Sequence, residues 1–329
     1  MLATSRDVGE LTLDLPTIDD VRAARARIAP FVHRTPTVSH RSVSERIGTN
    51  IHLKLEMFQR TGAFKVRGAF NRMLTLTESE RRRGVVAVSA GNHGQAVACA
   101  ARQLGLRAVV LMPESTPLNY LSATAAYGAT IDLVPSLAEA MGAIPRYLER
   151  GLTYIHPFAD RLVIAGQGTI GLELLEEVPN LTDVVVSIGG GGLAGGIALA
   201  VKSVRPEVRV WGVETEGAES MAVALAAGRV VELPRVTSIA CTLCAHAVAE
   251  ETLVLAQRYL ESVTVVSDAS AVEALRFLLE RTKVLAEPAS SCTLAAAERL
   301  REHFTPESHV ALVLCGGNVS AGEMFGAVA

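Results

Sequence analysis

The sequence has few aromatic residues, no excess of charge of one sign, no internal repeat and no low-complexity tract. Aromatic residues make up 4% of its 329 residues, so the core must be aliphatic. The 31 basic and 34 acidic residues give a formal net charge of -3, which argues against a dedicated nucleic-acid-binding protein. Apolar residues make up 49%, too many for an intrinsically disordered chain.

Cysteines are few, and their odd number predicts no disulfide framework. The five residues are Cys99, Cys241, Cys244, Cys292 and Cys315. A reducing, cytoplasmic compartment is therefore expected. Cys241 and Cys244 form a C-x-x-C, as in a redox pair or half a zinc site, but no second pair or histidine tract accompanies them. The simpler interpretation is two small buried residues. Residues 1–16 contain acidic residues and no long apolar run, so they do not form a secretory signal.

Short runs rich in β-branched residues alternate with helical segments. Such runs are typical of buried parallel strands, and their alternation with helices predicts an α/β fold: two lobes of open, twisted, parallel sheets flanked by helices. The predicted strands are 51–57, 85–88, 108–112, 130–134, 184–188, 208–213, 263–266 and 310–314. The predicted helices include 20–28, 95–104 and 269–282. Thr77 and Glu80 have the spacing of a capping box.

Residues 184–201 carry no charge, and their 18-residue length is enough to suggest a membrane span. Six of them are glycine, so a strand, a glycine loop and a helix ending near Lys202 fit better. The glycines at 189–192 allow positive φ, and their N–H groups, with the helix N-terminus, can bind a phosphate. No lysine follows as in a P-loop, so a nucleoside triphosphate is not expected.

A second glycine pattern, Gly166, Gly168 and Gly171, has the G-x-G-x-x-G spacing. The strand that follows it does not end in the acid that would bind a ribose, so a dinucleotide site is not expected. The simpler interpretation is the start of a helix with closely packed small residues.

Two further segments add chemistry to the phosphate loop. Residues 89–94 follow a strand and open a helix, so their N–H groups can bind a carboxylate, although Asn92 can also simply cap the helix. Lys65 lies between Phe64 and Val66, where desolvation would lower the pKa of its amine and make it a nucleophile; a solvated surface lysine is the alternative. Together these features indicate a phosphate-bearing aldehyde bound as a Schiff base, most obviously pyridoxal phosphate.

The segment 54–69, KLEMFQRTGAFKVRGA, resembles the cofactor-lysine motif of serine/threonine dehydratases. This family belongs to the tryptophan-synthase-β-like, fold type II group of pyridoxal-phosphate enzymes. Residues 89–93, 189–193, 287–288 and 315–318 match its other motifs in the same order. We expect a large cofactor-binding lobe of residues 1–49 and 152–329, with a small lobe of residues 50–151 inserted in it.

The resemblance implies a role for each motif: Lys65 links to the cofactor, Phe64 packs on its ring and Asn92 bonds its 3′ oxygen. The implied cofactor-binding residues are Phe64, Lys65, Asn92, Gly189, Gly190, Gly191, Gly192, Leu193 and Cys315. The implied substrate-binding residues are Ser89, Ala90, Gly91, Asn92 and His93.

Cys315 would face the pyridine nitrogen of the cofactor. A neutral thiol cannot keep that nitrogen protonated, and the resulting weaker electron sink suits elimination better than transamination. The resemblance therefore implies dehydration and deamination of L-threonine or L-serine to a 2-oxoacid and ammonia, with Lys65 as general base. The alternatives are dehydration of another 3-hydroxy amino acid (3-hydroxyaspartate or a compatible-solute derivative), serine racemisation, and a catalytically inactive ligand-binding protein.

Departures from the family pattern qualify these expectations. Ala90 replaces a serine that racemase relatives use as a base, which argues against efficient racemisation. Residues 240–242 are Ala-Cys-Thr where many relatives have Ala-Asp-Gly. Glu214 matches a ligand of the family's divalent-cation site, but Ser220 replaces its aspartate, so no metal is expected. The family implies a homodimer or homotetramer, and neither a nucleic acid nor a membrane is an expected partner.

Overall fold

The computed structural model describes residues 13–320 and Gly322. Its strands are β1 (Thr37–Ser39), β2 (Asn50–Leu55), β3 (Val85–Val88), β4 (Ala108–Pro113), β5 (Thr130–Val134), β6 (Thr153–Tyr154), β7 (Asp183–Ser187), β8 (Arg209–Thr215), β9 (Ser262–Val266) and β10 (His309–Leu314). Its helices are α1 (Ile18–Ile28), α2 (Arg41–Ile47), α3 (Val66–Met73), α4 (Glu78–Arg83), α5 (Asn92–Leu104), α6 (Leu118–Ala126), α7 (Leu137–Glu149), α8 (Arg161–Glu177), α9 (Gly192–Val204), α10 (Ser220–Ala227), α11 (Glu250–Tyr259), α12 (Asp268–Phe277) and α13 (Pro288–Arg299).

The strands form two sheets. The larger has the order β1-β2-β10-β7-β8-β9, and the smaller has the order β5-β4-β3-β6. Every strand pair is parallel except β1 with β2. Strands β3, β4 and β7 are buried along their whole length, as expected for parallel strands covered by helices on both faces. The predicted α/β fold with two parallel sheets is confirmed.

Two strands belong to a different sheet from the one that the expected lobe boundaries imply. Strand β2 was assigned to the small lobe of residues 50–151, but it pairs with β1 and β10 in the larger sheet. Strand β6 was assigned to the large lobe, but it pairs with β3 in the smaller sheet. Both lie at the expected junctions, where composition does not change. The division of the whole chain into two lobes stays a proposal.

The eight predicted strands are present, and their ends differ from the predicted ones by at most two residues. The capping box is also confirmed, because the Thr77 hydroxyl accepts the Glu80 N–H and the Glu80 carboxylate accepts the Thr77 N–H. The predicted helix 269–282 divides into α12 and a π-helical turn, Leu278–Thr282. Among the helices of the described residues, none is long and apolar enough to cross a membrane.

The glycines at 166, 168 and 171 lie inside α8, so the prediction of a helix start there is wrong. They allow close helix packing. A Cβ on Gly166 would lie 2.7 Å from the Gly68 Cα of α3, and one on Gly168 would lie 2.8 Å from the Gly196 carbonyl oxygen of α9. Helix α8 is therefore packed tightly between α3, which follows Lys65, and α9, which follows the glycine loop.

Candidate cofactor-binding site

The Lys65 segment is held against the segment that follows β10. The Phe64 N–H donates to the Cys315 carbonyl oxygen (3.0 Å), and Ala63 forms an antiparallel bridge with Gly316. The Gly317 N–H donates to the Gly62 carbonyl oxygen (2.9 Å). Strands β2, β7 and β10 are parallel neighbours, so the loops after them lie at one edge of the larger sheet, where ligands of α/β proteins bind.

The Lys65 amine is the reactive group at this edge. It donates a hydrogen bond to the Pro157 carbonyl oxygen (2.8 Å) and lies 5.2 Å from the centroid of the Phe64 ring. Burial lowers the pKa of the Lys65 amine to about 8, although Cys315 and Glu287 oppose this shift. The amine is therefore far easier to deprotonate than a surface lysine.

The glycine loop joins β7 to α9. Gly191 has φ +90°, and α9 begins at Gly192, so the first N–H groups of the helix have no partner within the helix. A Cβ on Gly190 would lie 2.2 Å from the Phe158 ring, so only glycine fits there. Because Phe158 follows Pro157, the lysine and the loop meet on one two-residue segment. Unpaired N–H groups at a helix N-terminus fit the phosphate of the cofactor.

The loop after β3 supplies Asn92 at the start of α5. The Asn92 amide nitrogen donates to both Glu287 carboxylate oxygens (3.0 and 3.2 Å), and its oxygen accepts from the Asn318 amide (2.8 Å). In the same loop the Ser89 hydroxyl accepts the Gly91 N–H (3.0 Å). This network connects the smaller sheet to the loops of the larger one.

His93 lies in the first turn of α5, but its ring is buried. Its Nε2 donates to the Ile155 carbonyl oxygen (2.8 Å). Burial, with the nearby charge of Lys65, lowers the pKa of His93 to about 3, so the ring stays neutral. The backbone N–H of His93, and not its ring, is therefore the group that could contact a substrate carboxylate.

Cys315 directly follows β10. Its sulfur lies 3.3 Å from the Ser290 hydroxyl oxygen and 3.5 Å from that of Ser187. Burial raises the pKa of the Cys315 thiol to about 12, with nearby Glu287 adding to the shift. The group is therefore a neutral thiol at physiological pH.

Two residues of the site had no role from sequence reasoning. Glu287 is buried at the N-cap of α13, and its Oε1 accepts from the Thr242 hydroxyl (2.8 Å). Burial raises the pKa of the Glu287 carboxyl, and the hydrogen bonds from Thr242 and Asn92 counteract this. Two features of the sequence could have identified these residues: the match of residues 287–288 to a family motif, and the departure from the family pattern at residues 240–242.

A largely buried ion cluster is formed around Arg67, two residues after Lys65. Arg67 Nη2 pairs with Glu56 Oε1 (2.8 Å), and Nη1 pairs with Glu173 Oε1 (2.6 Å). Lys54 also pairs with Glu173 (2.7 Å) and with Glu177 (2.9 Å). Alternation along β2 would have placed Lys54 in solvent, but its side chain is fully buried.

The remaining candidate residues have other surroundings. Neither cysteine of the C-x-x-C forms a disulfide; Cys241 is exposed and Cys244 is half-buried, so the prediction of two buried residues is wrong. The Glu214 carboxylate accepts the N–H groups of Met221 and Ala222, each at 2.8 Å, and so caps α10. Within residues 13–320 and Gly322, no group of three or more histidine, cysteine or acidic side chains could hold a metal ion.

A desolvated amine joined through residues 157–158 to a glycine-lined helix N-terminus defines an enzyme that holds a phosphate-bearing aldehyde on a lysine. Comparison with known proteins gives the family. A family model described as "pyridoxal-phosphate dependent enzyme" matches residues 28–316 of the chain. The chain belongs to this family and uses pyridoxal phosphate as its cofactor.

Its relatives include dehydratases, as the sequence indicated. The chain is 41% identical to an L-threonine ammonia-lyase of Thermotoga maritima over 92% of this chain and 76% of that protein. It is 38% identical to an L-threo-3-hydroxyaspartate ammonia-lyase of Saccharomyces cerevisiae over 93% of this chain and 94% of that protein. The structure of maize serine racemase superposes with a TM-score of 0.91 at 37% identity and covers 94% of this chain and 96% of its own.

Proposed function

We propose that this protein catalyses the dehydration and deamination of L-threonine or L-serine to 2-oxobutyrate or pyruvate and ammonia. The proposal assigns Lys65 the cofactor link, Phe64 the cofactor ring, Asn92 the 3′ oxygen, residues 189–193 the phosphate and residues 89–93 the substrate carboxylate. The observation that carries it is the Lys65 amine, whose lowered pKa accompanies a neutral thiol at Cys315.

The chain's own groups provide proton transfer and orientation. Bound pyridoxal phosphate supplies an electron sink for the substrate α-carbon. The Lys65 amine would take the α-proton, and a pKa of about 8 suits a base at physiological pH. The N–H groups at the start of α5 would hold the substrate carboxylate. The β-hydroxyl would leave as water, its second proton balancing the one that Lys65 takes up, and water would hydrolyse the released enamine to the 2-oxoacid and ammonia.

Two relatives are named for other reactions, the deamination of L-threo-3-hydroxyaspartate and the racemisation of serine. L-threo-3-hydroxyaspartate is also a 3-hydroxy amino acid, so its deamination needs the same proton transfer. Racemisation needs a base on the second face of the substrate, and Ala90 has no group that could act as one. The loop at residues 89–91 therefore favours elimination over racemisation.

The deciding experiment presents the purified protein with L-threonine, L-serine and L-threo-3-hydroxyaspartate. A 2-oxoacid assay and chiral chromatography of the remaining amino acid follow each incubation, with Lys65→Ala as the inactive control. We expect 2-oxobutyrate or pyruvate in large excess over the D-enantiomer. D-serine formed as fast as pyruvate, or activity confined to hydroxyaspartate, would overturn the proposal.

We further infer that the protein acts in the cytoplasm as a homodimer or homotetramer. The support is that none of the five cysteines, all of which lie within the described residues, forms a disulfide, together with the family expectation. Light scattering of the purified protein tests the oligomeric state, and a monomer at micromolar concentration would contradict it.

A further inference from the structure

We propose that Thr242 is a positioning residue of the cofactor site. Its hydroxyl holds the Glu287 carboxylate against the Asn92 amide and thereby fixes which end of that amide faces the cofactor. The inference rests on the role proposed for Asn92, and it gives position 242 a part in this site.

The Asn92 amide is held in one of its two orientations. Its oxygen accepts from the Asn318 amide, and its nitrogen donates to Glu287. Turning the amide by half a rotation would place its nitrogen against the Asn318 donor and its oxygen against a carboxylate. Both contacts would be repulsive. Glu287 therefore keeps the Asn92 nitrogen as the group that can donate to the 3′ oxygen.

Glu287 can do this only while it is ionised and correctly placed. It is buried, and a buried carboxylate needs donors to offset the loss of water. The Thr242 hydroxyl is one such donor, at 2.8 Å from Oε1. Without it Glu287 would bind a proton more readily, and a protonated carboxyl could donate to a turned Asn92. Lys65, Cys315 and Cys292 are the other titratable groups whose charges act on Glu287 or respond to it.

The Thr242 side chain reaches two parts of the site through different atoms. Its methyl faces the loop of residues 89–93, because a Cβ built on Gly91 would be 3.5 Å from Thr242 Cγ2. The side chain thus hydrogen-bonds Glu287 and lies next to this loop.

The test compares three holoproteins: the unaltered chain, Thr242→Val and Thr242→Ser. Valine keeps the shape and removes the donor, and serine keeps the donor. Without substrate, the cofactor's visible absorption band is titrated with pH, and the affinity for pyridoxal phosphate is measured. For Thr242→Val we expect the midpoint of the pH titration to shift by about one unit and the affinity for pyridoxal phosphate to fall roughly tenfold. Both changes correspond to the loss of one hydrogen bond to a charged group. Thr242→Ser should restore both.

An unchanged midpoint in Thr242→Val would overturn the proposal, and so would a shift that serine fails to restore. If the valine variant does not fold, Thr242→Gly is used, because it removes the donor without adding bulk. The absorption measurement involves no substrate, so it separates a failure of this proposal from a failure of the proposed reaction.

Discussion

The Lys65 amine donates to the Pro157 carbonyl oxygen at 2.8 Å, and the residue after Pro157 packs its ring on the glycine loop. Residues 157 and 158 therefore touch the amine proposed to link to the cofactor at one end and the loop proposed to hold its phosphate at the other. The two motifs lie far apart in the sequence, and this short segment joins them. A substitution at either motif is expected to affect retention of the cofactor.

Lys65→Ala should lose both the covalent cofactor and turnover. After borohydride reduction, peptide mapping of the unaltered protein should find the cofactor on Lys65. Lys202 pairs with Glu261 away from the site, so Lys202→Ala serves as the control and should keep both properties. A reduced adduct on Lys54 or Lys202 would show that the assignment to Lys65 is wrong.

Cofactor attachment to cofactor-free protein should depend on pH through Lys65. Only the neutral amine is a nucleophile, so the rate should rise with pH and reach half its maximum near the pKa of about 8. Glu287→Gln removes a charge that raises this pKa, so the midpoint should move to lower pH. The growth of the visible band after mixing measures both rates. A midpoint near that of free lysine, about 10.4, would contradict the burial argument.

Gly190→Ala should weaken cofactor binding severely. The new Cβ would lie 2.2 Å from Phe158 ring carbons, so the ring or the loop must move. Gly142→Ala in α7 is the matched control, because a Cβ there meets nothing within 4 Å and alanine stabilises a helix interior by about 0.5–1 kcal/mol. Equilibrium dialysis measures the affinity for the cofactor, and thermal unfolding measures the stability of each variant, so the two effects are separated. Equal affinity in both variants would exclude the loop as the phosphate site.

Ala90→Ser should raise the share of racemisation without abolishing elimination. A hydroxyl at this position can protonate the second face, and acid–base assistance of this kind contributes roughly 10²–10⁴-fold. Chiral chromatography and a 2-oxoacid assay on the same samples give the ratio. Ala90→Gly, which adds no hydroxyl, is the control. If both variants give the same ratio, position 90 does not decide the reaction.

Arg67→Met should lower the free energy of unfolding by about 3–5 kcal/mol, because the buried Glu56 carboxylate would lose its ion pair and Glu173 would keep only Lys54 as a partner. Arg41→Met is the control, since its pair with Glu45 is exposed and should matter little. Denaturant unfolding of both variants provides the comparison. A loss at Arg67 no larger than at Arg41 would show that the cluster is not stabilising.

The sequence was most informative where a local pattern determines structure. Continuous apolar runs such as 85–88 and 310–314 can only be buried, so their strands could be predicted. The two residues of β6 are too few to form a pattern, and α7 carries Pro145 in its interior. Both depend on packing against β3, which the sequence does not show.

The site was predictable as far as its motifs, but not in its contacts. Lys65 and the glycines could be found from flanking residues and spacing. The partners of Arg67 and Thr242 could not, because Glu173 lies 106 residues from Arg67 and Glu287 lies 45 residues from Thr242. A charge in a strand or loop has no pattern that identifies so distant a partner.

The tight packing of α8 has a consequence for the length of ligand that the protein accepts. A rigid aromatic aldehyde phosphate has a fixed span between its two attachment points. In the proposed site, the residue before α3 provides one point and the loop that leads into α9 provides the other, and both helices contact α8 at glycines that leave no room for a methyl group. Helix α8 therefore acts as a spacer whose thickness sets that span. Widening it at Gly166 or Gly168 would move the two anchors apart without changing any group that touches the cofactor.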